Sequence, residues 1–295
     1  MALLFALFKT FLRAVSLVPF PILYVHSDVV RFFLQYIFRY RRSVILENLK
    51  NSFPEKNKKE IRKIMCSYYR NLADITLETI KLRSISPAHL KQRVNFNKIE
   101  ILNHAFQHHD NVIIALAHCG CWEWIGQALG LVSPLTGYGI TKPLSNEYFN
   151  TYMELLRNRF NPGSTISFRQ TYRTLVRHKQ EGHVAFYLIA ADQTPHLNEI
   201  NYWSNFLNQD TPFYLGIEKM AVSLDLPVVF LDIHRIGRGR YFVDFQIITY
   251  DPKNTASFWI MEKYRRMLED SIINDPANWL WSHRRWKNKR SVPEL

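Results

Sequence analysis

Three short, almost wholly apolar runs, Val112–Ala117, His183–Ala191 and Pro227–His234, set the terms for what this chain can fold into. None alternates strictly between apolar and polar residues, so none reads as a strand with one wet face. Each reads as a strand covered on both sides, as in a parallel sheet. Helical spacing occupies the gaps, at Trp122–Leu131, Asn146–Phe160, Tyr172–Gln180 and Tyr214–Leu224, with a short strand at Tyr138–Thr141. Near the end, Gly237 and Gly239 make a hairpin turn into Tyr241–Ile248, and Ala256–Ile273 is an amphipathic helix. Residues 41–80 read as helices broken at Phe53-Pro54-Glu55. The expected fold class is α/β, with a mostly parallel central sheet flanked by helices and one antiparallel element near the end.

Residues 1–40 have a different character and form the expected membrane anchor ahead of a 41–295 unit. The first 24 residues carry only two charges, Lys9 and Arg13, which lie four apart and share a helical face. No uncharged stretch reaches the roughly 18–20 residues of a clean spanning helix. The alternatives are a tilted span with snorkelling Lys9 and Arg13, an in-plane amphipathic helix, or a buried core helix. Arg31, Arg39, Arg41 and Arg42 follow, and basic flanks stay on the cytoplasmic side. Three cysteines, two of them one residue apart, do not make a disulfide framework, which points to the same side.

Charge narrows the partners. The chain carries 38 Lys plus Arg against 25 Asp plus Glu, a formal +13, and such a field recruits anions. Nucleic acid, an anionic membrane, an acidic carrier protein and a phosphorylated substrate all fit a positive field. No zinc-finger spacing, RNP-like motif or basic-region heptads accompany it, so nucleic acid is not expected.

The sharpest local feature is Ala117-His118-Cys119-Gly120-Cys121-Trp122-Glu123-Trp124, where an apolar strand gives way to a helix. Ligands of open α/β sheets bind outside the carboxyl ends of strands. A His placed there can take a proton from a hydroxyl through one ring nitrogen while a carboxylate holds the other. Glu123 is the local candidate for that carboxylate. The plainer alternative is a strand-end His bonded to backbone, with a solvated Glu. A zinc site lacks a second Cys or His pair, and a Cys119 nucleophile points away if the strand continues. No G-x-S-x-G elbow, P-loop or dinucleotide fingerprint occurs.

With these residues in view, the chain resembles the bacterial lipid A late acyltransferases, the lauroyl/myristoyl transferase family of the lysophospholipid acyltransferase superfamily. The H-x4-E pair His118–Glu123 looks like that family's signature. So do, in the family's order, Arg41-Arg42-Ser43-Val44-Ile45-Leu46-Glu47-Asn48-Leu49 followed by Phe53-Pro54-Glu55, then Arg157-Asn158-Arg159-Phe160, Asp192-Gln193, and Trp279-Leu280-Trp281-Ser282-His283-Arg284-Arg285-Trp286. There are departures. Thr194-Pro195-His196 stands where the family often has D-x-G, so the second acid and the Gly are missing, and Lys142 stands where it has Arg, which loses the planar fork.

The resemblance implies direct acyl transfer, with no metal and no resident cofactor. An acyl carrier protein thioester, or less favoured acyl-CoA, is the donor, and a hydroxyl of a lipid A precursor is the acceptor, at the cytoplasmic face of a bacterial inner membrane. His118 is then the base and Glu123 its orienter. Arg159, then Arg157, is the oxyanion ligand. Asp192 anchors the acceptor, fixes an Arg or caps its loop. Lys142 contacts phosphate or is simply solvated, and His283, Arg284 and Arg285 contact phosphate or the carrier. The rivals are another acceptor, such as a lysophospholipid or aminolipid, and a non-catalytic membrane-binding protein of the same fold.

Overall fold

The computed structural model describes residues 2–290; residues 291–295 of the expected 41–295 unit lie outside that range. Its strands are β1 (Val94–Asn97), β2 (Asn111–Leu116), β3 (Thr136–Thr141), β4 (Thr165–Ser167), β5 (Ala185–Ala190), β6 (Trp203–Phe206), β7 (Gln209–Pro212), β8 (Val228–Gly237) and β9 (Arg240–Thr249). Seven form one sheet in the order β1-β9-β8-β2-β5-β3-β4, and β6 and β7 pair as a separate hairpin. β8, β2, β5, β3 and β4 run parallel, while β9 returns antiparallel to β8 and carries β1 with it. The α/β sheet expected from the apolar runs is therefore present, including the late antiparallel element.

The central strands form where the sequence is most continuously apolar. All six residues of β2 are buried, and each fully buried Val or Ile side chain is worth about 1.5–3 kcal/mol. Covering helices include Arg42–Ser52, Lys58–Lys81, Trp122–Val132, Glu147–Arg157, Gly216–Leu224 and Trp259–Asn274. The Lys58–Lys81 helix starts at a reciprocal cap, Asn57 taking the Glu60 N–H while Glu60 takes the Asn57 N–H. The expected Asn146–Phe160 helix stops at Arg157, which frees the next residues for a turn.

The N-terminal stretch is divided at Pro19 into helices Ala2–Leu17 and Phe20–Phe32. No helix among the described residues is long and apolar enough to cross a membrane. One face of these helices is bound to the body: Ser27 donates to Asp74 at 2.5 Å and Tyr24 to Glu78 at 3.0 Å. Both acids lie on the Lys58–Lys81 helix and are fully buried. Arg235 and Arg238 of the β8–β9 hairpin complete the Asp74 group. Burial pushes the Glu78 carboxyl up, against the hydrogen bond from Tyr241 at 2.5 Å.

A C-terminal segment, residues 276–288, lies across the carboxyl ends of the parallel strands. Trp279 bridges to Cys119, and the Asn278 carbonyl takes the Gly120 N–H at 3.1 Å. Gly120 sits at φ +53°, and a Cβ there would approach the Tyr241 ring to 2.7 Å, so both backbone shape and space demand glycine.

Candidate active site

β2 and β5 are neighbours in parallel register, with Leu116 opposite Ala190. Two residues further along both strands, His118 meets Asp192. His118 Nδ1 lies 2.7 Å from Asp192 Oδ1, and the His118 backbone N–H donates to Oδ2 at 3.1 Å. The chain leaves β2 toward β3 on one side and leaves β5 toward β8 on the other, so this pair lies where the winding changes direction. Ligands of open α/β sheets sit at such a point.

The carboxylate on His118 is thus Asp192, which corrects the expectation that Glu123 orients the ring. The local spacing misled because Glu123 begins the Trp122–Val132 helix and its side chain goes elsewhere, into a forked pair with Arg157. The contacts are 2.6 Å from Nη2 and 3.0 and 3.2 Å from Nε. Glu123 remains close enough for its charge to act on His118. Trp122 packs edge-on against the imidazole, ring centres 4.9 Å apart.

Electrostatics follow from this arrangement. Burial is the largest influence on His118 and pulls its pKa down. The charge and hydrogen bond of Asp192, with Glu123 behind them, more than offset that and leave it raised above the usual 6.5. Asp192 is buried, which alone would raise it, but His118 and Trp279 hold it down to about 2. The favourable imidazolium–carboxylate pairing is therefore present between the two ordinary values, 3.8 and 6.5. It is lost as pH falls toward about 2, or rises through the raised value of His118. With Nδ1–H given to Asp192, Nε2 is the acceptor nitrogen. Its contact is a 3.3 Å donation from the exposed Gln193 amide, a partner that a substrate hydroxyl can replace.

The remaining expected residues divide. Arg157 is at the site, and pairing with Glu123 keeps its guanidinium charged against burial. Arg159, the first choice for oxyanion ligand, instead donates to the Leu82 carbonyl and lies over the Phe160 ring at 4.6 Å. Lys142 is exposed and donates to His196 Nε2 at 3.0 Å, beside a shallow cleft of His196, Asn198 and Lys287. Arg285 is completely buried, donates to the Pro212 carbonyl at 2.7 Å and stacks on Phe213. It is not a carrier contact, because no face of it reaches solvent. His283 accepts the Thr194 N–H at 3.2 Å, and burial takes its pKa down to about 4. It is neutral and occupied, not a phosphate cation. Arg284 alone of the three is exposed. Cys119 and Cys121 are buried free thiols pushed well above the usual range by burial, which argues against a thiolate nucleophile.

The model of the bacterial lipid A biosynthesis acyltransferase family matches residues 2–288. The chain belongs to that family. The lipid A biosynthesis palmitoleoyltransferase of Escherichia coli (strain K12) is 19% identical to it over 274 residues, covering 92% of this chain and 87% of that protein. The lipid A biosynthesis acyltransferase of Shigella flexneri aligns with the same identity and coverage. The family assignment makes this chain an acyltransferase of lipid A biosynthesis, and the resemblance drawn from the motifs is borne out.

Proposed function

We propose that this acyltransferase moves a fatty acyl chain from an acyl carrier protein thioester to a hydroxyl of a lipid A precursor, at the surface of an anionic membrane. The observation that carries the reading is the His118–Asp192 pair at the carboxyl ends of β2 and β5, with Nε2 available to a hydroxyl. His118 Nε2 takes the hydroxyl proton as the oxygen attacks the thioester carbonyl. Asp192 fixes the tautomer and offsets the imidazolium charge, as the acid of a catalytic triad does. The tetrahedral intermediate collapses with loss of the C–S bond, and the imidazolium returns its proton to the leaving thiolate. No enzyme nucleophile or metal is required, because a thioester is already activated. Arg157, held in place by Glu123, is the best-placed charged donor for the oxyanion, joined by backbone N–H groups at the start of the Trp122–Val132 helix.

Membrane attachment is supported by the outer face of the two N-terminal helices. Leu7, Phe11, Leu17 and Val25 are each more than 60% exposed, beside the basic residues Lys9, Arg13 and Arg31. Apolar side chains exposed next to cations suit a helix lying in the headgroup region. The charge surplus also favours an acidic carrier protein, with exposed Arg284 among its contacts.

The test is transfer of labelled acyl chains from carrier-protein thioesters, and separately from CoA thioesters, to lipid A precursor. Wild type is compared with His118→Ala. Product from the carrier-protein donor that falls by about 10²–10⁴-fold in the variant supports the reading. Product with lysophospholipid alone moves the acceptor to that class, and full activity of His118→Ala removes the mechanism.

A further inference from the structure

We propose that Trp279 is a positioning residue for the His118–Asp192 pair, acting through the Asp192 carboxylate; the inference rests on that pair being the reacting centre. Asp192 takes three N–H groups. His118 Nδ1–H goes to Oδ1, and the other two, the His118 backbone N–H and Trp279 Nε1–H, both go to Oδ2, the indole at 2.8 Å. The last two fix the plane of the carboxylate and so aim Oδ1 at the imidazole. Without the indole N–H, a buried carboxylate oxygen keeps a single donor and the group is free to turn about its bond.

The indole is itself fixed. Trp279 is 2% exposed, pairs by backbone with Cys119, and packs edge-on against Trp281 at 4.8 Å and Phe206 at 5.9 Å. Its segment also straps the loop after Asp192: the Thr194 hydroxyl donates to the Arg285 carbonyl at 2.6 Å. Behind it, buried Asn48 of the Arg42–Ser52 helix donates to the Trp281 carbonyl at 2.9 Å and the His283 carbonyl at 3.0 Å. Arg41 donates to the Ser282 carbonyl at 2.9 Å. The C-terminal aromatic segment is thus a frame clamped between an N-terminal helix and the acid of the reacting pair. The aromatics fill the core, and one N–H among them is directed at the site.

Trp279→Phe removes that N–H and keeps an aromatic ring. With the wild-type chain in membranes or detergent, the variant is expected to lose about tenfold in kcat, with KM for both substrates held within about twofold. In an Asp192→Asn background the same substitution should cost less than about twofold, because the group it acts through is already changed. Thr194→Val, which removes the strap on the loop, should cost about threefold and be absorbed in the same way, and provides the readout if Trp279→Phe fails to fold. Full tenfold loss by Trp279→Phe in both backgrounds overturns the proposal in favour of a purely structural role. So does wild-type kcat in a folded Trp279→Phe whose Asp192→Asn counterpart is crippled. Wild-type activity of Asp192→Asn itself overturns the underlying reading, and this proposal with it.

Discussion

Two histidines stand at opposite ends of the same pair of strands, and their environments differ in the one respect that chemistry needs. At the amino ends of β2 and β5, buried His178 meets the Tyr187 hydroxyl at 2.8 Å, which in turn donates to Asn111 at 2.7 Å. Tyr138 stacks on Tyr187, its ring 5.1 Å from His178. Burial, with His183 and Arg177 nearby, takes the pKa of His178 below the usual value. At the carboxyl ends, His118 has a carboxylate on one nitrogen and only a weak, exposed amide on the other. A buried His satisfied by neutral groups is packing. A His with an anion behind it and an open acceptor nitrogen in front is poised to take a proton. The same two strands lie beside both, His118 just past the end of β2 and His178 on the Thr171–Gln180 helix, so the fold alone does not make a site; the partner does.

The two rings should respond very differently to removal. His118→Ala should lower kcat per folded molecule by about 10²–10⁴-fold. His178→Ala should leave kcat per folded molecule within about twofold, checked in the same labelled-transfer assay. A large loss there erases the distinction drawn above. A second, smaller effect is expected at the neighbouring ion pair. Glu123→Gln leaves Arg157 without its forked partner and should cost about 10–10²-fold in kcat, because an oxyanion donor left free to swing loses most of its preorganisation. The smallest effect is on stability. His178→Ala leaves the Tyr187 hydroxyl short of one partner and should cost about 1 kcal/mol in denaturant titration, with the slope unchanged.

Much of the frame is legible in the sequence. β2, β5 and β8 follow from continuous apolar runs, and β9 from the glycine turn at 237–239, because burial on both faces leaves a strong one-dimensional trace. The elements that escaped are short and polar. β1, Val-Asn-Phe-Asn, and the three-residue β4 lie at the two edges of the sheet, where little burial is required. The β6–β7 hairpin turns through Leu207 and Asn208, both at positive φ. That suits a two-residue hairpin turn, but Leu is not a residue that signals one.

The site was legible in its residues and not in its pairing. His118, Glu123, Arg157 and Asp192 all carried motifs. The spacing of His118 and Glu123 in sequence suggested a contact, whereas the contact that forms is set by the register of two strands far apart in the chain. Arg285 shows the same limit from the other side. Its basic neighbours suggest a surface patch, yet the guanidinium lies in the core, over the Phe213 ring and bonded to the Pro212 carbonyl. Spacing along a chain reports local neighbours, and the hydrogen bond that defines this site is not local.

The proposed mechanism depends on Asp192 making His118 the base. The most direct test is the pH dependence of kcat for wild type and Asp192→Asn, measured with a carrier-protein thioester and lipid A precursor. The base acts when neutral, so activity should rise with pH through the value of His118, which Asp192 holds above 6.5. Replacing the carboxylate removes the influence that raises it and leaves the burial that lowers it. The expected result is a midpoint shifted to lower pH, with a plateau reduced by about 10²–10⁴-fold. A variant whose midpoint and plateau both match wild type would contradict it.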